Sequence, residues 1–445
     1  EVFWININFI VNNMNLLTSG HYLGSICHEN SDSYKGLWNG ITNKTPYLYG
    51  YDNLNHFNKV GLPNKQEEDW KFSDLREIVS KNFDKLDIKL EQSQKPKVDF
   101  IKDFDHNYIV IINGELILSD FKYEDKSKIK LESFVNTNYT DKKENNPLVN
   151  LNHALSNKGY SLEIKENYKF KKILVIYYLY TKDLDENILN SKNKIKIGKN
   201  SELHFLEFLV NNSKKNFFNN IYEDIILDNF AILKNIYLQN HKNSGYFHKY
   251  SKNKLSKGSN FNSFIFPLGL KFNKFDLEFN LEGEKSECNL QSASFLHDGE
   301  HQEIKTRINH FSPDCKSYQK VKNVINKESK GVYQGKIFVK DVAQKTDAYQ
   351  LSKAILLSER SEFDSKPELE IYADDVKCSH GSTSGSLDND SIYYLMTRGL
   401  SKKESTKLLV DGFLNEIAES IKSNSIKNFI KNKFEEQLSD EYKKH

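Results

Sequence analysis

A cysteine and a histidine two residues apart are the side chains of this sequence best suited to chemistry. Cys378 and His380 flank Ser379, and side chains two positions apart on an extended strand project to the same side. A thiolate and an imidazole can bind iron or zinc, but two ligands make only half of a site. The pair is read either as a buried cysteine with a hydrogen-bonded histidine or as a half-site that a partner chain completes.

A second group of possible metal ligands lies between residues 288 and 315. Its members are Cys288, His297, His301, His310 and Cys315. Only His297 and His301 have a spacing that zinc sites use, and they flank a predicted turn, so side chains without a metal are favoured. The four cysteines of the chain form no C-x-x-C pair, which argues against a zinc ribbon and favours a reducing compartment.

Two further motifs give little support for the functions that they resemble. The segment His380–Gly385 looks like a G-x-S-x-G nucleophile elbow, but its central residue is Thr383 and no helix is predicted directly after it. A serine hydrolase is therefore disfavoured. Lysine clusters at Lys122–Lys130 and Lys427–Lys433 are mixed with acidic residues, so they predict solvated faces rather than surfaces for nucleic acid or anionic lipid.

The composition bounds the class of protein. The chain has 445 residues with 63 basic and 61 acidic side chains, and 38% hydrophobic content is enough for a core. We find no apolar run near the roughly 20 residues that span a bilayer and no signal-peptide pattern, so a soluble cytoplasmic protein is expected. Residues Glu1–Val11 are expected to be a disordered extension before a natural start near Met14.

Hydrophobic periodicity divides the chain into three regions. Residues 51–90 have helical spacing, and their apolar face consists of Phe72, Leu75, Ile78, Val79, Phe83 and Leu86. From Tyr108 onwards short alternating runs predict strands, the last of them Leu369–Val376. Asn113-Gly114 predicts a local hairpin before the main run of strands.

The strand region fits either a solenoid or a pair of β-sandwiches, and the solenoid is favoured. Polar turns recur at roughly one rung of a coiled parallel sheet, and few tight hairpin signals separate neighbouring strands. The predicted turns begin at Gly198, Leu227, Glu282, Asn326 and Ser358.

Helical spacing returns after Gly385. The pattern predicts a short helix over Ser391–Arg398, closed by Gly399, and a capping box at Ser401–Glu404 begins another. An apolar stripe then repeats every fourth residue, at Leu409, Phe413, Ile417 and Ile421. This stripe must pack either against the end of the solenoid or against another protein.

At Cys378 the sequence resembles the SufD group of the SufB/SufD family, which are scaffold subunits of the SUF iron–sulfur cluster assembly machinery. The likeness extends from about residue 50 to about residue 425. It is carried by Gly61–Leu75, Ile308–His310, Pro313, Ser317, Gln319, Gly335–Ile337, Gln344–Gln350, Leu356–Ser358, Lys366–Gly381 and Tyr394–Gly399.

The resemblance implies a mainly β fold with three parts. They are an N-terminal extension and helical domain over residues 1–105, a right-handed parallel β-helix core over residues 106–386, and a C-terminal helical domain over residues 387–445. It implies a non-catalytic scaffold subunit that pairs through the β-helix edge with a SufB-type subunit. The C-terminal helices, with the stripe from Leu409 to Ile421, would dock a SufC-type ATPase.

The resemblance also assigns a role to the C-S-H-G motif. His380, with Cys378 beside it, would lie at the heterodimer interface and help to receive iron or the nascent iron–sulfur cluster. The cluster would be transient and shared with the SufB-type partner, and no catalytic residue or tightly bound cofactor is implied for this chain alone.

Several residues distinguish the two groups of the family. Gly381 follows His380 where SufB-type chains carry glutamate, and the stretch Leu351–Leu356 lacks their cysteine. Tyr318 and Tyr349 depart from the arginine and histidine that the family often has there.

The competing hypotheses are a β-helix carbohydrate-active enzyme, which would need clustered carboxylates where this chain has only adjacent Asp374-Asp375, and a structural dimer brace without a metal role.

Overall fold

The structure is a computed structural model that describes residues 51–84, 86–88, 96–134, 144–156, 158–213, 215–240 and 245–443. The predictions for Glu1–Val11 and Met14 lie outside these residues. The described helices are α1 (Tyr51–Val60), α2 (Leu75–Asn82), α3 (Pro147–Leu155), α4 (Asn389–Thr397), α5 (Lys402–Glu419) and α6 (Asn424–Lys443), with single 3-10 turns at Glu68–Trp70, Lys126–Lys128 and Lys182–Leu184.

In the part of the chain that the structure describes, twenty strands form two long sheets that face each other. We call one of them the odd sheet, because from β5 onwards it contains the odd-numbered strands. It consists of β1 (Asp87–Ile88), β4 (Ile129–Ser133), β5 (Lys158–Ile164), β7 (Asn187–Ile197), β9 (Phe218–Leu227), β11 (Tyr246–Leu255), β13 (Phe272–Leu281), β15 (His301–His310), β17 (Lys330–Val339) and β19 (Glu362–Ile371). The even sheet holds β2 (Asn107–Ile112), β3 (Glu115–Asp120), β6 (Leu174–Tyr180), β8 (Glu202–Asn211), β10 (Ile232–Asn240), β12 (Asn260–Phe266), β14 (Glu287–Leu296), β16 (Lys316–Ile325), β18 (Thr346–Leu356) and β20 (Val376–Gly385).

The chain alternates between the two sheets and so winds a parallel solenoid. From β5 to β20 each strand pairs in parallel with the strand two positions along the chain, which gives about seven turns. Among the described strands, antiparallel pairs occur only at the amino-terminal end, between β2 and β3 and between β4 and β5. The solenoid prediction is confirmed, and the sandwich alternative is wrong.

Local sequence explains the hairpin and the corners. Ile112 pairs with Glu115 across Asn113-Gly114, whose positive φ angles of 47° and 82° suit these two residues, so the hairpin prediction is confirmed. Polar corners follow β7 and β16, where Asn200 and Lys327 adopt φ near 58° and 55°. The bounds of the predicted strand Leu369–Val376 are wrong: its first three residues belong to β19, which ends at Ile371, and residues 372–375 turn before β20 begins.

Helices cover the outer face of both sheets. On the odd sheet, a cluster around Trp70, Leu75 and Val79 packs with Leu148 and Phe218. On the even sheet, buried side chains of α5 and α6 pack on the outward-facing residues of the strands; they include Val410, Leu414, Ile417, Phe429, Ile430 and Phe434. No helix in the described part of the chain has both the length and the apolar character that a membrane crossing requires.

The predictions for the terminal helices are largely confirmed. Asp74 caps α2, and Leu75 and Val79 are buried on its inner face. Gly399, with φ of 96°, ends the segment after α4, and Ser401 and Glu404 form a reciprocal capping box at the start of α5. The C-terminal helices lie along the flank of the solenoid and not at its end.

Candidate functional site

Cys378 and His380 lie on β20, the last strand of the even sheet. Their register partners on β18 are Ala348 and Gln350, which are both buried on the side of the strand that faces the lumen of the solenoid. Both site residues therefore face the lumen, on the same side of β20, as their spacing predicts.

The rung that carries them is open. In the described part of the chain, no strand pairs with the outer edge of β19 or of β20. Lumen-facing side chains of this rung consequently have no described strand stacked above them, and His380 is exposed although its register partner Gln350 is fully buried. We call this surface, formed by β19 and β20, the open rung.

The half of the open rung around Cys378 is apolar. Cys378 is half-buried against a small cluster that contains Ile337, Val339, Ala348 and Leu369. Burial raises the pKa of the Cys378 thiol, and the negative charge of Asp347 raises it further. The thiol is therefore protonated at neutral pH, and a metal ion would have to displace that proton.

The half around His380 is polar. Ser352 Oγ donates a hydrogen bond to Ser382 Oγ at 2.9 Å and lies 2.9 Å from Ser365 Oγ, so hydroxyl groups bridge the two sheets beside His380. This arrangement places a soft sulfur donor and an imidazole at the boundary between an apolar and a polar surface.

The site can supply two ligands but not a complete metal centre. Across the residues that the structure describes, no three side chains of His, Cys, Asp or Glu come together as a metal site. Zinc and iron–sulfur sites commonly use four protein ligands, so the remaining donors would have to come from outside this part of the chain.

The second group of possible ligands is dispersed. Cys288 is buried in the lumen, and Cys315 Sγ lies 3.3 Å from Ser286 Oγ. His310 Nε2 contacts Ser317 Oγ at 2.9 Å, and His301 faces Ser73 on the opposite side of its sheet. Segment His380–Gly385 is part of β20, so it does not form the strand-to-helix turn of a nucleophile elbow.

An exposed apolar surface lies on the C-terminal helices. Tyr393, Tyr394 and Met396 of α4 and Leu408 of α5 are each more than 40% exposed. A cleft beside them is lined by Leu395 and Leu409, among others. We call these six residues the α4–α5 patch.

The predicted apolar stripe is divided between the interior and the surface. Ile417 and Ile421 are buried against the even sheet, and Leu409 and Phe413 are half-buried. Lys322 Nζ lies 4.2 Å above the Phe413 ring and donates to the Phe413 carbonyl, so Phe413 also fixes α5 to β16. The sequence analysis did not predict that Tyr393 and Tyr394 are exposed, although Tyr394 begins one of the motifs that carry the family resemblance.

Comparisons with known proteins agree on one family. The sequence profile described as the SUF system FeS cluster assembly SufBD core domain matches residues 179–413. The iron-sulfur cluster assembly protein SufD of Escherichia coli is 24% identical over 83% of this chain and 88% of its own length.

Two further relatives are similar. A SufBD family protein of Synechocystis is 26% identical over 81% of this chain and 84% of its own length, and SufD of Bacillus subtilis is 31% identical over 27% and 28%. Because the family profile covers more than half of the sequence, this chain belongs to the SufBD family of SUF iron–sulfur cluster assembly proteins.

Proposed function

We propose that this chain is a non-catalytic scaffold subunit that pairs with a SufB-type subunit and docks a SufC-type ATPase during iron–sulfur cluster assembly. The observation that carries the proposal is the open rung, where two strand edges without a partner among the described residues coincide with a two-ligand half-site. In this proposal residues 106–386 carry the assembly site and residues 387–445 carry the docking surface.

The edges of β19 and β20 support pairing with another chain. Each strand is ten residues long, and each presents backbone N–H and C=O groups at its outer edge. Such edges are either protected or used for pairing. A SufB-type subunit seated there would lie next to Cys378 and His380 and could supply the ligands that the half-site lacks.

The α4–α5 patch supports docking of the ATPase. Contiguous exposed apolar groups, such as Tyr393, Tyr394 and Met396, mark interaction surfaces in soluble proteins. Ile417 and Ile421 are already used for packing within the chain, so Leu409 and Leu408 are the members of α5 available to a partner.

The proposed mechanism is mechanical. Movement of the bound ATPase would displace α5, which is tied to β16 by Lys320 and Lys322 through Glu416. Strand β16 belongs to the sheet that ends in β20, so the displacement would reach the open rung. Opening of the interface would expose Cys378, allow its thiol to lose a proton, and admit iron or the nascent cluster.

The first test is co-expression of the tagged chain with SufB-type and SufC-type partners, followed by measurement of native mass without oxygen. A complex of one such chain, one sister subunit and two ATPases is the expected result. A chain that purifies alone would contradict the proposal.

The second test concerns the site. His380→Ala should leave the complex intact but lower the iron and sulfide that it retains, whereas His204→Ala, on the outer face of the same sheet, should not. Normal cluster yield in His380→Ala would refute the site assignment. Iron binding also separates the scaffold from a purely structural brace, which would bind none.

The third test concerns the docking surface. Deleting Ser401–His445 would remove the ATPase site, but it would also uncover the apolar outer face of the even sheet. The double variant Tyr393→Ser, Tyr394→Ser changes only exposed side chains and should abolish ATPase binding while pairing with the SufB-type subunit persists. Undiminished ATPase binding would exclude this patch.

A further inference from the structure

The lumen directly beneath His380 is polar. Gln350 is its register partner, one strand spacing of about 4.8 Å away, and faces the same side. Gln350 is fully buried, as is Tyr333, which enters the lumen from the facing sheet.

Hydrogen bonds hold the Gln350 amide at both ends. The Tyr333 hydroxyl lies 3.2 Å from Gln350 Oε1, and Gln350 Nε2 donates to the Glu368 carbonyl at 3.4 Å. Tyr333 also lies 3.2 Å from Gln319 Oε1, which accepts a hydrogen bond from Thr306. These groups form a buried polar column whose upper end is Gln350.

Gly335 makes room for this column. A Cβ atom at position 335 would overlap both the Tyr333 hydroxyl and Gln350 Oε1. The backbone at Gly335 does not have positive φ, so the need for glycine is steric. The contact between Tyr333 and Gln350 therefore depends on the absence of a side chain two residues after Tyr333 on β17.

The fold does not require polar groups here. Gln319 Nε2 has no hydrogen-bond partner among the described residues, which is a cost for a fully buried amide. The same wall of the lumen carries Val321, Ala348 and Ala354, so apolar side chains are accommodated on either side of the column. What distinguishes this column is its place, because it ends on β18 directly beneath the exposed His380.

We propose that Gln350, held by Tyr333 over Gly335, is a positioning residue for His380. It provides a fixed, polar floor that orients the imidazole at the open rung and keeps that half of the rung hydrated. The inference deepens the proposed function and rests on it, since orientation of His380 matters only if His380 receives iron.

Nuclear magnetic resonance of the full chain, with its histidine rings labelled, tests this assignment. His380→Ala identifies the His380 signal. Gln350→Met and Gly335→Ala should each move that signal, because one removes the amide and the other displaces it. Gln239→Met changes a fully buried lumen glutamine several rungs away and should not move the signal.

Iron retention and the melting temperature of the complex with the partner subunits distinguish a positioning role of Gln350 from a role in stability. Iron retained by the Gln350→Met complex should fall roughly tenfold, the lower end of what is lost when a residue supporting a metal ligand is replaced. The melting temperature should change little, because the Tyr333 hydroxyl keeps Gln319 Oε1 as a partner when the amide becomes apolar. If Gln350→Met does not fold, Tyr333→Phe takes its place in the test, and it should also lower the iron that the complex retains.

Two results would overturn the assignment. One is an unmoved His380 signal in both Gln350→Met and Gly335→Ala, and the other is an equal movement in Gln239→Met. If the unaltered complex retains no iron, the proposed function fails, while the signals of the isolated chain still decide whether Gln350 orients His380.

Discussion

The outer faces of the two sheets are both covered by helices, but by different chemistry. On the even sheet the contact is apolar, and Phe266, Phe295 and Val324 pack against α5 and α6. On the outer face of the odd sheet, a row of buried polar side chains crosses five strands. It is formed in register by Asn190, Asn220, His248, Lys274 and Glu303. The even sheet is thus covered by apolar area, whereas the cover of the odd sheet combines an apolar cluster around Trp70 with a buried row of hydrogen-bonding and charged groups.

Glu303 is the centre of the polar cover. Its carboxylate pairs with Lys274 and accepts hydrogen bonds from Ser73 and from Gln334, and all of these groups are buried. Lys274 Nζ also donates to the Asp69 carbonyl at 2.8 Å and lies 4.5 Å above the Trp70 ring. The difference between the faces teaches that the amino-terminal helices depend on a few specific polar groups in addition to the apolar cluster around Trp70, so loss of those groups should weaken their attachment.

The largest expected effect is that of Glu303→Ala. It leaves the Lys274 ammonium buried without a carboxylate, so the free energy that protects the amides of α2 should fall by about 4 kcal/mol. Hydrogen exchange measures that protection, and α5 and α6 should be unaffected. Glu68→Ala, which removes only an exposed partner of Lys366, is the control and should change little.

The Glu303 carboxylate also makes the protection of α2 depend on pH. Burial opposes its charge, but Lys274 and His301 hold the pKa of Glu303 well below its ordinary value. The stability that follows is fully present above about pH 4.5, the range of an unfolded glutamate, and is lost as pH falls below it. Protection of α2 should therefore decline in acid, and a decline of the same size in Glu303→Ala would contradict this origin.

Phe434→Ala should break the apolar cover instead. Phe434 is buried, and its ring packs edge-to-face on Phe266 at 5.6 Å. Its truncation should lower the protection of α5 and α6 by about 3 kcal/mol, equally at pH 5 and pH 8, and leave α2 unchanged. Equal losses on both faces would show that the two covers unfold as one unit.

A buried charge cluster in the lumen should respond to pH in the opposite sense. Lys249 is bound by two carboxylates, Glu207 and Glu223, each about 3.0 Å from its ammonium, so the cluster carries an excess negative charge. Burial and the charge of Glu223 raise the pKa of Glu207 to about 7, although Lys249 opposes this.

A carboxyl with a raised pKa stabilises the fold at low pH, and this contribution is lost as pH rises to about 7. Glu207→Gln should accordingly raise the free energy of unfolding at pH 8 by about 3 kcal/mol and have little effect at pH 4.5. Chemical denaturation at the two pH values measures this, and a variant that is less stable at pH 8 would show that the charge of Glu207 is needed.

The smallest expected effect is at the capping box of α5. Ser401→Ala removes the hydroxyl that accepts from the Glu404 amide and should cost about 1 kcal/mol, seen as faster exchange in the first turn only. Loss of protection along the whole of α5 would mean that the cap, and not the apolar face, holds this helix on the sheet.

Features fixed by local chemistry could be predicted from the sequence. The hairpin at Asn113-Gly114, the inner face of α2 at Leu75 and Val79, and the capping box at Ser401 each depend on residues close together in the chain. The resemblance supplied what periodicity left open, since apolar alternation alone fits sandwiches as well as a solenoid.

Other features depend on the lumen and on distant strands. Strands β11 and β18 are among those that the alternating runs do not predict, because lumen-facing polar residues such as Lys249, Asn253 and Gln350 hide their alternation. The stripe at Leu409 and Phe413 lies one position from the fully buried Val410 and Leu414. Spacing indicated that Cys378 and His380 share a side of the strand, but no local signal shows that this strand ends the sheet.

The central claim is that the open rung is where a SufB-type subunit pairs and where the half-site is completed. Hydrogen exchange of the β20 backbone, Val376–Gly385, in the isolated chain and in the co-expressed complex tests it most directly. The account predicts at least about tenfold slower exchange along β20 in the complex, because unpaired edge amides become hydrogen-bonded. Unchanged exchange at β20 in a complex of the expected mass would contradict it.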